Sequence, residues 1–292
     1  MAIDLIQVPY DSAVRGARMG RGPLWLAENG ATERLRAVDG DVRETVVEAR
    51  PDFRAEVATA FELARSVALT VRTARGRGSF PLVLSGNCFA ALGILAGLGT
   101  GDTGVVWLDA HGDLNTPETT ASGFLDGMAL ATVIGRCWRT LAASVADFVP
   151  VPEERVALVG ARDLDEGETR LLEHSRILLV RADEVRERGP EGALARLEAL
   201  ARRVSRVYLH LDLDVLDPAA GRANAFAVAG GLSADGVREA VSTIAERVPI
   251  AAAAVTAYDP DHDADGRMLE TALGLMELLA EVGERPAALG SM

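Results

Sequence analysis

The sequence predicts an α/β fold in which a parallel sheet is covered by helices on both faces. Short apolar runs rich in β-formers alternate along the chain with longer segments whose apolar residues recur at helical spacing. Such alternation is typical of βαβ units, in which each helix crosses from one parallel strand to the next. The chain shows no long Ser/Pro linker, low-complexity tract or internal repeat, so we expect one domain over residues 1–292.

The predicted strands occur at regular intervals along the chain. In order they are IDLIQVPY, FPLVLSG, GVVWLDA, RVALVGA, RILLVRA, RVYLHLDLDV and IAAAAVTAY, with VRETVVEA as a weaker candidate. The clearest helical segments between them are FRAEVATAFELARSVALTVRTARG, EGALARLEALARRVSR and SADGVREAVSTIAERV.

The composition argues against two classes of partner. A formal net charge of −13 disfavours nucleic acid, because binding to a phosphate backbone depends on clustered Lys and Arg. No uncharged apolar run of about 18 residues occurs, and the first segment lacks a signal-peptide pattern, so no membrane is expected. The two cysteines, Cys88 and Cys137, make no disulfide framework. We therefore expect a cytoplasmic protein that acts on a small molecule.

Acidic side chains follow two of the predicted strands, where each strand should end. Asp109, His111 and Asp113 alternate after TGVVWL, and Asp212 and Asp214 follow VYLHL. Residues two apart share one face of a strand, and ligands collect outside the carboxyl ends of parallel strands. Two such groups together favour a divalent cation over the alternative that each acid forms a turn or caps a helix. Carboxylates with an imidazole suit Mn²⁺, with Mg²⁺ or Zn²⁺ less favoured.

Two motifs, DAHGDLNTPETTASG and LDLDVLDP, resemble the ureohydrolase family of arginases, agmatinases and formimidoylglutamases. VPYDSAVRGARMGRGPLWL, LSGNC and VGARDLDEGE are similar to further family segments in the same order, so the resemblance covers nearly the whole chain. It implies a three-layer α/β/α fold with a mostly parallel central sheet, a dimanganese centre and a homo-oligomer. It also implies hydrolysis of a guanidine or amidine C–N bond by a metal-activated hydroxide.

The resemblance implies roles for individual residues. By position, the metal ligands are Asp109, His111, Asp113, Asp212 and Asp214, of which Asp109 and Asp212 match residues able to bridge two ions.

Three further residues match family positions that contact the substrate. Asn115 and Ser122 fall where the substrate is bound, and Asp165 falls where amino-acid-specific members approach the α-amino group. The alternative for Asn115 and Ser122 is hydrogen bonding within a loop. For Asp165 it is a capping box with Glu168 at a helix start.

Cys88, in SGNCFAALG, stands where the family has a histidine ligand. A thiolate can bind metal, but it is softer than imidazole and favours Zn²⁺ or Fe²⁺ over Mn²⁺, so the centre holds one or two ions. The alternative is a small buried apolar residue at the start of a helix. A cysteine here, with HGDLNTPETT and RDLDEGE, is similar to a family branch that includes a hydroxyarginine amidinohydrolase, which makes hydroxyguanidines possible substrates.

Other departures from the family concern proton transfer and charge. Asp126 stands where arginases have a histidine that shuttles protons, and a carboxyl group can do such work if its pKa is adjusted. Phe124 and Phe226 replace polar residues, and Ala257 replaces the glutamate that pairs with the guanidinium. A nearby run of acids could supply that charge or could cap the last helix; it comprises Asp259, Asp261 and Asp263. His262 is a second candidate proton carrier, or else a surface histidine.

Two functions follow from these residues. The first is a metal-dependent hydrolase of a guanidine, hydroxyguanidine or amidine, in which Asp126 or His262 protonates the departing nitrogen. The alternative is a catalytically silent relative that binds metal and a small ligand. Retention of the bridging ligand set favours the enzyme.

Overall fold

The structure, a computed structural model, describes residues 2–50 and 55–283. Within them lies an eight-stranded sheet in which every pair of neighbouring strands is parallel. Its strands are β1 (Ile3–Val8), β2 (Val42–Val46), β3 (Phe80–Ser85), β4 (Thr103–Leu108), β5 (Val156–Val159), β6 (Leu178–Val180), β7 (Arg206–Asp212) and β8 (Ile250–Thr256). Their order across the sheet is β2-β1-β3-β8-β7-β4-β5-β6. The predicted α/β class and parallel sheet are confirmed.

Helices connect most of the strands. They are α1 (Gly22–Leu26), α2 (Thr32–Val38), α3 (Glu56–Gly76), α4 (Ala90–Leu98), α5 (Ala129–Val133), α6 (Arg139–Ala143), α7 (Glu166–Glu173), α8 (Ala182–Ala193), α9 (Leu197–Ala201), α10 (Ala234–Arg247) and α11 (Arg267–Val282). The segment predicted as one helix over 191–206 instead divides at a 3-10 turn, Leu194–Arg196. Residues 53 and 54, the predicted start of α3, lie outside the described residues. No helix in the described ranges has the length and apolar character needed to cross a membrane.

Alternate residues of each strand pack against helices on opposite faces of the sheet. Ile3 and Leu5 of β1 belong to one buried cluster, which also takes in residues of α2, α10 and α11. Ile6 and Val8 belong to a second cluster, which takes in residues of α3 and α4. Because side chains of a strand point alternately to its two faces, both faces of the sheet are buried. The three-layer α/β/α architecture is therefore confirmed.

Helices α3 and α4 approach closely because glycines of α4 face the backbone of α3. A Cβ built on Gly93 would lie 2.4 Å from the carbonyl oxygen of Ala64, and one built on Gly97 would lie 2.7 Å from that of Ala68. Any side chain at these positions would force the helices apart. Since α4 begins two residues after Cys88, this packing also fixes the loop that carries the cysteine.

We expect Gly93→Ala to destabilise the protein by about 1–3 kcal/mol, the usual cost of overpacking. Helix propensity alone predicts the opposite, since Gly to Ala in a helix normally gains about 0.5–1 kcal/mol. The matched control is Gly76→Ala in α3, where a Cβ meets nothing within 4 Å. Denaturant titration gives both free energies of unfolding. Equal or greater stability of the Gly93 variant would show that the helices can separate without cost.

Candidate active site

A cavity of about 270 Å³ lies at the carboxyl ends of four adjacent strands, β3, β8, β7 and β4. The loops after these strands bring together residues far apart in the sequence, as expected for ligand sites in parallel sheets. All but one of the predicted site residues line the cavity: Cys88, Asp109, His111, Asp113, Asn115, Ser122, Asp126, Asp165, Asp212 and Asp214. The exception is His262.

Two groups of possible metal ligands meet in this cavity. The first, which we call the cysteine site, consists of Cys88, Asp109, His210 and Asp212; the second, the His111 site, consists of Asp109, His111 and Asp214. Within each group the ligand atoms lie within 4.8 Å of one another. Asp109 belongs to both groups, so its two oxygens can serve two ions.

The negative charges of the acids in the cavity are not fully compensated by neighbouring groups. Burial raises the pKa of Asp113 and Asp212 well above the usual range, and the neighbouring carboxylate of Asp109 adds to both shifts. Asp113 Oδ2 is also buried without a hydrogen-bond partner in the described structure. A divalent cation would favour the ionised carboxylates and satisfy the free oxygen. The donors present thus fit a divalent metal ion.

His111 lies between two carboxylates of the His111 site. Its Nδ1 is 3.4 Å from Asp109 Oδ1 and 3.4 Å from Asp214 Oδ2. Burial acts to lower the pKa of His111, but the hydrogen bonds to these carboxylates outweigh burial and raise it to about 12. The protonated imidazole therefore supplies the positive charge that a metal cation would otherwise supply beside these carboxylates. Metal binding through His111 must displace that proton.

Cys88 lies deep in the cavity, against the end of β7. Its Sγ donates a hydrogen bond to Asp212 Oδ2 at 3.1 Å and lies 3.5 Å from Thr256 Oγ1. Burial raises the pKa of the thiol well above its ordinary value, and the nearby carboxylates add to the shift. Cys88 is therefore buried, as expected for a small apolar residue. It also lies beside the predicted metal ligand Asp212, as expected for a ligand.

His210 is a possible ligand that the sequence analysis missed. It is fully buried on β7, and its ring stacks on Trp107 with centroids 3.6 Å apart. Burial lowers the pKa of His210 to about 3, so the imidazole is neutral. The signal was present in RVYLHLDLDV, because His210, Asp212 and Asp214 have the period of two that places side chains on one face of a strand.

Asp126 is held in the cavity by amide donors next to the start of α4. The backbone N–H of Phe89 donates to its Oδ1, and Asn87 Nδ2 donates to its Oδ2, both at 2.9 Å. Burial raises the pKa of Asp126 to about 7, although the backbone hydrogen bonds act to lower it. The proton-transfer role of Asp126 stays a prediction, and its position in the cavity is compatible with that role.

The residues predicted to contact the substrate line the cavity. Asn115 Nδ2 donates to Asp165 Oδ2 at 2.7 Å, and Ser122 Oγ accepts from the backbone N–H of Phe124 at 3.1 Å. Asp165 is also the N-cap of α7, in a capping box with Glu168. Both interpretations of Asp165 are therefore compatible with its place, because the cap residue faces the cavity as well.

One wall of the cavity mouth is aromatic. The rings of Phe124 and Phe226 stack with centroids 5.6 Å apart, and the guanidinium of Arg18 lies 5.9 Å from the Phe124 centroid. Phe226 is 42% exposed, so part of its ring is available for contact with a ligand. This wall offers apolar contact and no carboxylate.

Ala257 also lines the cavity, and the acids that follow it point elsewhere. Asp263 accepts hydrogen bonds from the backbone N–H groups of Met268 and Leu269, so it caps the start of α11. Asp261 forms an ion pair with Arg21 at 2.5 Å. Asp259 accepts from the backbone of Asp261. None of the three lines the cavity, so the possibility that they replace the missing glutamate gains no support from their positions.

His262, in the same loop, is separated from the cavity. Its side chain is 33% exposed, and Nε2 lies 3.8 Å from Asp259 Oδ2. The proton-carrier role predicted for His262 gains no support from this placement. A histidine in a polar loop gives no sequence signal for which way it faces, because that depends on how the loop packs after β8.

Asn224 is a further cavity residue that the sequence did not single out. Its Nδ2 donates to the carbonyl of Ala257 at 2.9 Å and lies 3.4 Å from Asp214 Oδ2, while its Oδ1 accepts from the backbone of Phe226 at 2.8 Å. The buried amide of Asn224 thus contacts the candidate ligand Asp214, the backbone of Ala257 and the backbone of Phe226 in the aromatic wall. A lone Asn in RANAFA carries no pattern that would reveal this role.

Comparisons with known proteins identify the chain's relatives. Residues 1–282 match the model of the arginase family. The chain is 32% identical over 288 residues to an arginase of Bacillus caldovelox, covering 94% of this chain and 96% of that protein.

Solved structures agree with this match. The fold is similar to that of an arginase from Bacillus cereus, with a TM-score of 0.87 and 31% identity over 98% of this chain and 100% of the other. It is likewise similar to the arginase structure from Bacillus caldovelox, with a TM-score of 0.86 and 30% identity over 98% and 99% of the two chains. With its α/β/α layers and the acids at the ends of β4 and β7, the chain belongs to the arginase family.

Proposed function

We propose that the protein is a metal-dependent hydrolase that cleaves a C–N bond in a guanidine-, hydroxyguanidine- or amidine-type small molecule. The observation that carries the proposal is the pair of ligand groups, the cysteine site and the His111 site, which share Asp109 in one cavity. When bound, the ions supply Lewis acidity that makes water a nucleophile near neutral pH. Membership of the arginase family, and relatives that are named arginases, support the same chemistry.

The other cavity residues have distinct tasks in this proposal. Asn115, Ser122 and Asp165 position the end of the substrate that lies towards the cavity mouth. Asp126, held by two amide donors, protonates the departing nitrogen. Asp113 completes the ligand set through its unpaired oxygen. Manganese as the ion, assembly into a homo-oligomer and a cytoplasmic location stay predictions from the sequence.

The reactive group of the substrate is one that is neutral near pH 7. Ala257 supplies no carboxylate, and the stacked Phe124 and Phe226 add apolar surface. Once metal ions compensate the other acids of the cavity, a cationic guanidinium buried beside Ala257 lacks a charge partner, at a cost of several kcal/mol. A hydroxyguanidine is less basic, because its hydroxyl withdraws electrons. Hydroxyguanidines are therefore the substrate class that we propose among the three.

A catalytically silent protein that binds metal and a small ligand is the second candidate. The substitutions at Ala257 and Cys88 favour it, because each removes a group that the family uses. The retained carboxylates, together with Asp126 inside the cavity, favour the enzyme, since ligand binding alone does not require a proton donor. Metal content measured beside hydrolysis of a panel of guanidines, hydroxyguanidines and amidines separates the two.

The first test concerns the metal. The double variant Asp212→Ala, Asp214→Ala removes a carboxylate from each ligand group, so we expect it to retain no stoichiometric metal after dialysis. Elemental analysis of protein incubated with Mn²⁺, Zn²⁺ and Fe²⁺ measures this. The control is Asp261→Ala, which removes a 65% exposed carboxylate outside the cavity and should leave metal content unchanged. Wild-type protein that stays metal-free under all three conditions would remove the basis of the proposal.

The second test concerns charge in the substrate. We expect wild-type protein to prefer hydroxyguanidines over L-arginine and agmatine. Ala257→Glu should raise relative kcat/KM for the cationic guanidines roughly tenfold to a hundredfold, because a charge-assisted buried pair is worth about 1.5–3 kcal/mol. Ala257→Gln, of equal size and without charge, is the control. Position 257 already carries a Cβ at a φ of 62°, so neither change adds backbone strain of a new kind.

The result that contradicts this substrate assignment is efficient hydrolysis of arginine or agmatine by the wild-type protein. Another acid of the cavity would then replace the missing glutamate, and Asp126 would be the first residue to change. Equal gains from Ala257→Glu and Ala257→Gln would show that size, and not charge, limits the reaction.

A further inference from the structure

The cysteine site contains the imidazole of His210, to which the sequence analysis assigned no role. Cys88 Sγ, a carboxylate oxygen each from Asp109 and Asp212, and a ring nitrogen of His210 lie within 4.8 Å of one another, and all four residues are buried. Ligands about 2.0–2.3 Å from one ion cannot be much farther apart than this, so the four donors can share a single ion.

The contacts of His210 show which ring nitrogen faces the other three donors. Nδ1 lies 2.7 Å from the hydroxyl of Tyr208, while Nε2 lies 3.3 Å from Thr256 Oγ1. That same Oγ1 is 3.5 Å from Cys88 Sγ and 3.3 Å from Asp212 Oδ2, so Nε2 faces the other donors. In the tautomer whose proton is on Nδ1, that proton is donated to the Tyr208 hydroxyl and the imidazole presents a lone pair on Nε2. This arrangement, in which one ring nitrogen is fixed and the other is free, is the usual one for histidine ligands.

Neighbouring groups hold the imidazole in this orientation. The Trp107 ring stacks on it with an angle of 10° between the planes, and Trp107 Nε1 donates to Asp109 Oδ2 at 3.0 Å. Thr256 does not depend on His210, because its hydroxyl can donate instead to Asp212 Oδ2 or to the carbonyl of Leu211. The ring is thus fixed by stacking and by Tyr208, and its Nε2 is not needed for another structural bond.

We propose that His210 is a metal ligand through Nε2, and that with Cys88, Asp109 and Asp212 it forms a four-donor site of one sulfur, one nitrogen and two oxygens. This inference rests on the proposed metal-dependent function and adds a ligand to it. A thiolate and an imidazole favour Zn²⁺ or Fe²⁺, whereas the oxygen-rich His111 site suits Mn²⁺. The two sites therefore differ in the ion that they prefer.

The decisive measurement is the coordination of Zn²⁺ at the cysteine site. In the His111→Ala variant loaded with one equivalent of Zn²⁺, X-ray absorption should show one sulfur at about 2.3 Å and imidazole scattering from a nitrogen at about 2.0–2.1 Å. His111 is absent from this variant, and His210 is the remaining histidine of the two ligand groups. Sulfur without imidazole would overturn the proposal.

A second measurement removes the imidazole. His210→Phe keeps a flat ring to stack on Trp107, and we expect it to lower Zn²⁺ affinity by more than about a hundredfold, since residues that merely orient ligands already contribute ten- to hundredfold. Mn²⁺ affinity of the His111 site should change far less. The matched control is Thr256→Val, which removes a hydroxyl from the same cluster and leaves all four donors. Equal Zn²⁺ affinity of wild type and His210→Phe would contradict the role of His210.

The outcomes distinguish this inference from the function on which it rests. Wild-type protein that binds no ion at all overturns both. Wild-type protein that binds two ions and hydrolyses its substrate, but shows no imidazole at the sulfur-ligated ion, overturns the inference alone. Should His210→Phe fail to fold, as judged by circular dichroism, the absorption measurement on His111→Ala still decides.

Discussion

The crowding of buried carboxylates at the ends of β4 and β7 is the constraint on which the rest of the structure depends. Asp109, Asp113, Asp126, Asp212 and Asp214 are each at most 7% exposed and line one cavity. Like charges so close and so poorly hydrated raise the free energy of the folded state unless protons or cations compensate them. Without metal, raised pKa values and a protonated imidazole supply part of that compensation. Bound cations remove the need for it.

Backbone contacts around the cavity hold these charges in place. Arg162 donates hydrogen bonds to the carbonyls of residues in the loops after β5 and β7 and in the loop before α10: Gly160, Asp214, Val215, Leu216, Val228 and Ala229. Asn224 joins the last of these loops to the end of β8. The candidate ligands therefore sit on a firmly bonded base, while the aromatic pair and the exposed Asp165 form the mouth of the cavity. This division is typical of α/β enzymes, in which the scaffold holds the chemistry and loops choose the substrate.

The substitutions in the cavity form a consistent chemical set. Cys88 brings a softer donor close to Asp212, and His210 brings an imidazole to the same group of donors. Ala257 removes a negative charge where Phe124 and Phe226 add apolar surface. Each change on its own looks like a loss relative to the family. Together they are the basis of our proposal that the cavity takes a different ion and a less basic reactive group.

The sequence by itself determined the alternation of strands and helices, the parallel sheet, and the acids that share a face at the ends of β4 and β7, because each depends on local periodicity. Only the tertiary structure decided which strands are neighbours, since strand order follows from packing between distant segments. That order brought Cys88 within 3.1 Å of Asp212, 124 residues away, and placed His210 beside them. It also left His262 outside the cavity and turned Asp263 into a helix cap, because no local pattern specifies where a loop side chain points.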